Sequence, residues 1–162
     1  MKKNEIFALQ EQALRFPQFT NGDGVALGTM LARYAAENGL QAAFSIKRVD
    51  GFPIFCFATD GAEQLNVHWA EMKSQTVRVF GKSSLRVALE AAAMGQTVEV
   101  HGLQDRCRFA PGGFPIRLEN GALAGAVAVS GVDMEEHDLL VTLLARFLHK
   151  ENVPLLSQAE DL

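Results

Sequence analysis

Apolar side chains recur at the three- and four-residue intervals of amphipathic helices in several stretches of the chain. One stripe runs through Leu27, Leu31, Tyr34 and Ala35 and stops at Gly39, a residue suited to end a helix in the left-handed conformation. Similar patterns, with capping or breaking residues at their ends, predict four more helices. These are residues 4–15, 62–80 and 85–94, and a last helix that an Asp-x-x-Glu capping box opens at residue 133.

Two of the predicted helices have a well-defined apolar face. In the helix over residues 62–80 it consists of Leu65, Trp69, Met72, Thr76 and Val79. In the last helix it consists of Leu140, Leu143, Leu144 and Phe147. Both faces are expected to pack against the rest of the fold.

Runs of β-forming residues predict five strands, separated by turn-forming pairs. Asp50-Gly51 and Asn120-Gly121 each join two such runs, and both pairs favour the tight turns of β-hairpins. The run over residues 122–130 is small and continuously apolar, as expected of a central strand covered on both faces. The predicted strands are residues 42–49, 52–58 (with Pro53 at its start or at a sheet edge), 97–101, 114–118 and 122–130.

The order of the elements, α-α-β-β-α-α-β-β-β-α, decides between sheet types. Hairpins join the strands and the helices come in groups, so a mainly antiparallel sheet with packed helices fits better than a doubly wound parallel one. The predicted class is therefore α/β of the α+β type. At 162 residues the chain is expected to form one domain, with a loosely held tail after about residue 153.

Composition narrows the functional classes. The chain is 48% hydrophobic and 21% charged, with a net charge of −4, which favours a cored protein over a nucleic-acid binder. Its longest apolar stretch is too short to span a bilayer, and no export signal is visible at the N-terminus. A cytoplasmic location is therefore expected, with Cys56 and Cys107 on different strands as unpaired thiols.

Several glycine-rich and aromatic motifs occur together in this chain. In its last third they are Gly112-Gly113-Phe114-Pro115-Ile116, the segment 121–131 ending in Val129-Ser130-Gly131, and His137 at a helix start. Earlier motifs are Phe19-Thr20-Asn21-Gly22-Asp23-Gly24, Trp69-Ala70-Glu71-Met72-Lys73 and Gly81-Lys82-Ser83-Ser84-Leu85. With these motifs the chain resembles the GlcG/HbpS-like haem-degrading-domain family, in its smaller intracellular branch, over roughly residues 13–148.

The resemblance implies a profilin-like three-layer α/β/α fold, a homo-oligomer, and haem binding or haem breakdown. Glycine- and proline-rich motifs specify a fold better than a reaction. The resemblance therefore leaves open whether the protein is an enzyme, and it identifies no catalytic residue.

His137 is the candidate haem and metal ligand. It borders an apolar face at a helix start, where the helix dipole disfavours protonation and leaves a ring nitrogen free to coordinate. The alternative is a structural histidine whose ring hydrogen-bonds a loop. Of the other histidines, His68 lies beside Trp69, while His101 and His149 have polar settings.

Trp69 and Lys73 lie one helical turn apart and are the second pair of candidates for cofactor contact. The indole could stack on a flat ring while the ammonium meets a carboxylate. Alternatively, Trp69 anchors the core and Lys73 extends over it towards solvent.

Two further features have both structural and functional interpretations. Gly112-Gly113 could form an anion-binding nest near Arg108 or Arg117, or simply a turn before a strand. Ser130 ends a central strand but lacks the Gly-x-Ser-x-Gly context of a hydrolase nucleophile.

The resemblance therefore implies intracellular haem or tetrapyrrole handling. Two other hypotheses remain open: a non-catalytic homo-oligomer that binds a protein partner, and a small-ligand sensor module.

Overall fold

The computed structural model describes residues 1–132 and 135–160. The capping box predicted at Asp133 falls partly outside these residues. The helices are α1 (Lys3–Ala13), α2 (Asn21–Glu37), α3 (Gln64–Phe80), α4 (Ser84–Ala93) and α5 (Glu136–Phe147), with a 3₁₀ turn over Leu156–Gln158. The strands are β1 (Arg15–Phe16), β2 (Ala43–Arg48), β3 (Pro53–Ala58), β4 (Gly113–Leu118) and β5 (Leu123–Ser130).

The five strands form one sheet in the order β1-β4-β5-β2-β3. Both predicted hairpins are confirmed: β2 pairs antiparallel with β3, and β4 with β5. The strand predicted to be central is central, because β5 also pairs antiparallel with β2. Only β1 runs parallel to its neighbour, β4, so the predicted mainly antiparallel sheet is confirmed.

The two faces of the sheet carry different side chains and take different helices. On one face, large apolar residues of the strands, such as Val127 and Val129, pack against leucines of α2 and α5 in the main core. On the other face Ala43 and Ala128 meet Ala70 of α3. Small residues on this second face let α3 pack close to the sheet, and helices on both faces give the predicted three layers.

The strand predicted over residues 97–101 is wrong. This segment forms turns, closed by Gly102 N–H donating to Glu99 O and Leu103 N–H donating to Val98 O. Its alternating pattern is that of a strand, but β1 and β5 already occupy both sides of β4, so the sheet offers it no place beside β4. Cys107 follows in the same connection and is not on a strand. Cys56 and Cys107 are both free thiols.

The buried face predicted for the helix over residues 62–80 is also corrected. Leu65 and Val79 are exposed, at 46% and 45%. The buried positions of α3 are Ala70, Lys73, Ser74, Val77 and, as predicted, Thr76. The side of α3 that packs on the alanine-rich face of the sheet therefore consists of smaller residues and one lysine. The largest apolar side chains of the helix lie elsewhere.

The C-terminal segment forms hydrogen bonds with α1 and α5. The backbone amides of Leu156 and Ser157 donate to the two carboxylate oxygens of Asp138, at 2.8 and 3.0 Å. The side-chain amide of Gln10 donates to Pro154 O at 2.7 Å. These hydrogen bonds fasten residues 154–157 to α1 and α5.

Close packing of α2 on β3 gives a test of the fold. A Cβ atom at Gly28 would lie 2.3 Å from the ring of Phe55, whereas one at Gly22 would meet nothing nearer than 3.6 Å. We expect Gly28→Ala to lower the free energy of unfolding by about 1–3 kcal/mol through overpacking, despite the better helix propensity of alanine. Urea unfolding measures this, and Gly22→Ala is the matched control. Equal stability of the two variants would contradict this packing.

Candidate functional site

A cleft of about 710 Å³ opens where α3, the end of β5 and the start of α5 meet. It combines charged, aromatic and small residues, and its volume lies within the range of roughly 300–1,000 Å³ usual for ligand sites. Residues of its lining that carry the chemistry are Trp69, Lys73, Arg108, Ser130, Gly131 and Glu136.

Trp69 and Arg108 form one wall of the cleft. The guanidinium carbon of Arg108 lies 4.2 Å from the centre of the indole, a cation–π geometry. Two hydrogen bonds to Thr76 fix the backbone of Arg108: its N–H donates to Thr76 Oγ1 at 2.9 Å, and its carbonyl accepts from the same hydroxyl at 3.0 Å. Within residues 1–132 and 135–160, no carboxylate forms a salt bridge with Arg108.

Lys73 and Glu136 form a buried ion pair at the floor of the cleft. Lys73 Nζ donates to Glu136 Oε2 at 3.1 Å and to Val129 O at 3.0 Å, and both side chains are almost fully buried. Burial lowers the pKa of the Lys73 ammonium, the Arg108 charge acts in the same direction, and the Glu136 carboxylate opposes both. A buried amine with a perturbed pKa in a cleft is a common property of functional sites.

The glycine pair beside this ion pair has a packing role. Gly112 has φ +120°, and a Cβ there would lie 2.5 Å from Val129 O and 3.1 Å from Lys73 Nζ. The amide of Gly113 donates to Ser84 Oγ at 2.8 Å, so it is not free to bind an anion. The geometry therefore favours close packing over the anion nest that the sequence left open.

Ser130 adds a hydroxyl to the cleft. It is 1% exposed, and no hydrogen bond within the described part of the chain uses its side chain. Gly131 follows with φ +117°, and a Cβ there would lie 2.4 Å from Gln41 O. The chain thus turns tightly at the end of β5, with the Ser130 hydroxyl in the wall of the cleft.

His137 is in the core and not among the residues that line the cleft. It is 2% exposed, and its Nε2 donates to Gln10 Oε1 at 2.8 Å. Its ring packs edge-on against Phe7, with centroids 5.3 Å apart, and at a tilt against Phe114. Burial lowers the pKa of His137 to about 4, so desolvation keeps the ring neutral, although the Asp138 carboxylate acts in the opposite direction.

The other three histidines are exposed and lie apart from the cleft. His68 lies on α3, His149 follows α5, and His101 contacts the rings of Phe80 and Phe109. Among the residues that the structure describes, no three His, Cys, Asp or Glu side chains converge as they would around a metal ion.

The structure thus brings Trp69 and Lys73 together, as the sequence predicted, and separates His137 from them. Sequence reasoning mentioned Arg108 and Ser130 only for other roles, and it missed Glu136. The pair Trp69 and Lys73 could be predicted from the sequence, because residues four positions apart lie on the same side of a helix. The other three residues come from distant segments that only the fold brings together.

Comparison with known proteins agrees with this fold. Residues 19–144 match the family model described as "Haem degrading protein HbpS-like". The chain belongs to the HbpS-like haem-degrading protein family. Among its relatives are UPF0303 proteins of Paraburkholderia xenovorans, 35% identical, and Rhizobium etli, 36% identical. Each alignment covers 89% of this chain and 88% of the relative.

Solved structures show the same fold at lower identity. The Ybr137w protein superposes with a TM-score of 0.81 at 23% identity, covering 91% of this chain and 89% of that one. The crystal structure of the PduOC:heme complex superposes with a TM-score of 0.68 at 17% identity, covering 80% of this chain and 94% of that one. HbpS gives 0.67 at 17%, covering 83% and 92%. No helix among the described residues of this family member is both long and apolar enough to cross a bilayer.

The buried state of His137 predicts a pH dependence of stability. Its pKa is about 4 in the folded protein and about 6.5 when exposed, so the unfolded chain binds more protons between these values. Stability should therefore fall as pH drops from 6.5 to 4, with His137 accounting for roughly 3 kcal/mol of the loss.

Urea unfolding at several pH values tests this dependence in three proteins. His137→Asn should show a shallower fall than the wild type, because it lacks the titrating ring. His68→Asn, which removes an exposed ring, should follow the wild type. Parallel curves for all three would show that His137 does not titrate in this range.

Proposed function

We propose that this protein binds a flat, carboxylate-bearing ligand of the haem or tetrapyrrole class in the cleft between α3, β5 and α5. The observation that carries the proposal is the Arg108 guanidinium, which stacks on Trp69 and has no carboxylate partner in the described chain. A partly buried cation without a counter-ion attracts an anion, and the aromatic wall favours a flat one.

The remaining polar groups of the cleft support an anionic ligand. The Ser130 hydroxyl can donate a hydrogen bond to a carboxylate without giving up a bond within the described chain. Lys73 is already neutralised by Glu136, so it contributes a local dipole and leaves Arg108 as the principal cation. The role proposed for Lys73 is therefore to position Glu136 and the end of β5.

The cleft offers some of the contacts that a bound haem would need. When bound, haem supplies redox chemistry at its iron, which proteins usually hold through His, Cys, Met or Tyr. The described lining has none of these residues, but it does provide the ring contact of Trp69 and the cation of Arg108 for a propionate. The cleft thus suits the periphery of a porphyrin better than its metal, and we propose binding without assigning a reaction.

His137 is assigned a structural role in this proposal. To ligate iron, its Nε2 would have to leave Gln10 and reach a ligand from between Phe7 and Phe114. Support for the haem class comes from the HbpS-like haem-degrading family and from the similar fold of the PduOC:heme complex.

Trp69 is the only tryptophan, so its fluorescence reports on this cleft directly. Titration with haem and with metal-free protoporphyrin should quench it, with similar affinities because the described cleft recognises the ring and its carboxylates. We expect Arg108→Gln to weaken both at least about tenfold, through loss of the charge-assisted contact.

Arg106→Gln is the matched control, because Arg106 is exposed and does not line the cleft. It should bind like the wild type. Unchanged affinity in Arg108→Gln, or no quenching by either ligand in the wild type, would reject the proposal. Tight binding of haem alone would show that an iron ligand dominates.

A second proposal is self-association of two copies through β3. The outer side of β3 has no neighbouring strand in the described sheet, and Phe57 on β3 and Val67 on α3 are exposed. They line an apolar groove of about 400 Å³ that also reaches Ala70. An open edge with apolar side chains can pair with a second copy about a two-fold axis.

Light scattering at micromolar concentrations tests this pairing. We expect a mass above that of the monomer for the wild type and a lower mass for Phe57→Lys, because a charge in the interface opposes pairing. Val79→Lys, at the far end of α3, should leave the mass unchanged. A monomer mass for the wild type at every concentration would exclude self-association.

A further inference from the structure

A second pocket, of about 300 Å³, lies at the other end of β4 from the cleft. It is bounded by α1, β1, β4 and the junction of α3 with α4. Four of its lining residues are cationic: Arg15, Lys82, Arg86 and Arg117. The lining therefore has an unusual concentration of positive charge for a protein with a net charge of −4.

Two of these cations are direct neighbours across the sheet. Arg15 of β1 and Arg117 of β4 are register partners in the parallel pair. Like charges placed opposite each other on adjacent strands destabilise a sheet. Within residues 1–132 and 135–160, neither arginine forms a salt bridge with a carboxylate.

The hydrogen bonds of the two arginines leave Arg15 incompletely satisfied. Arg117 donates to the carbonyls of Gly81 and Gly121, both at 2.7 Å. Arg15 makes one long contact, from its Nη1 to Glu119 O at 3.4 Å. Its Nε is buried and has no hydrogen-bond partner in the described structure. A buried donor of this kind calls for a partner such as a water or an ion.

The other two cations are neutralised by the protein itself. Arg86 pairs with Glu11 and Glu90, and Lys82 pairs with Glu90 at 2.8 Å. These four cations and two carboxylates leave a local charge of +2. The excess positive charge resides on Arg15 and Arg117, which lie opposite each other on β1 and β4.

We propose that this pocket binds a phosphate-type oxyanion, either free phosphate or the head group of a phosphomonoester. A doubly charged tetrahedral anion would match the excess charge and accept from forked guanidinium donors, while removing the repulsion between Arg15 and Arg117. The small volume leaves room for the oxyanion, with any attached group directed to solvent.

This site is independent of the proposed tetrapyrrole cleft. β4 separates them, since Gly113 at its start lies beside Lys73 and Arg117 lies near its end. Phosphate bound here should leave the fluorescence of Trp69 unchanged. The two proposals can therefore fail separately.

Thermal unfolding with inorganic phosphate, against chloride at the same ionic strength, tests the proposal. Phosphate should raise the Tm of the wild type beyond the chloride effect, because binding to the folded state stabilises it. Arg15→Gln should lose this response, and its Tm without phosphate should equal or exceed that of the wild type, because a repulsion has been removed. Arg33→Gln, an exposed arginine on α2, should respond like the wild type.

Two further arms complete the test. Lys82→Gln keeps both arginines and should weaken, but not abolish, the phosphate response. Glucose 6-phosphate in place of phosphate distinguishes a phosphomonoester from free phosphate as the ligand. A larger rise in Tm than with phosphate, at equal concentration, assigns the site to a phosphomonoester. Equal phosphate and chloride effects in the wild type, or a full phosphate response in Arg15→Gln, would overturn the proposal.

Discussion

The amine of Lys73 ties together three elements from distant parts of the chain. It originates on α3 and donates to the carbonyl of Val129 in β5 and the carboxylate of Glu136 in α5. The amine can reach both only because Gly112 leaves space beside it and because alanines let α3 approach the sheet. A buried ion pair adds little net stability, since desolvation offsets the attraction, but it imposes a defined arrangement on its neighbours. The position of the cleft floor follows from that arrangement.

Local sequence signals predicted most of the fold. Asp50-Gly51 and Asn120-Gly121 specify tight turns whatever the surroundings, and the small apolar run of β5 requires cover on both faces. Residues 97–101 show the limit of such signals. Their alternation of apolar and polar residues is typical of a strand, but a strand forms only where a neighbouring strand is available to pair with it. The two residues of β1 lie below the length at which any pattern is visible. Their pairing depends on β4, about a hundred residues later in the chain.

The candidate site was less accessible to sequence reasoning than the fold. Trp69 and Lys73 share a helix, so spacing alone placed them side by side. Arg108 reaches Trp69 from an irregular connection, and its position depends on two hydrogen bonds to Thr76. His137 had the residue type and helix position of a ligand. Its hydrogen bond to Gln10, 127 positions away, could not be predicted from the residues around His137 in the sequence.

The side chain of Gln10 has a consequence for the order in which the protein can form. Its two ends bind His137 and Pro154, so the first helix is joined to two of the last segments of the chain. During synthesis α1 leaves the ribosome 127 and 144 residues before the two groups that satisfy the buried amide of Gln10. Contacts so distant along the chain form slowly. The buried amide of Gln10 therefore lacks at least one of these partners until the chain has been made through Pro154, and a chaperone would be of most use to the nascent chain in this interval.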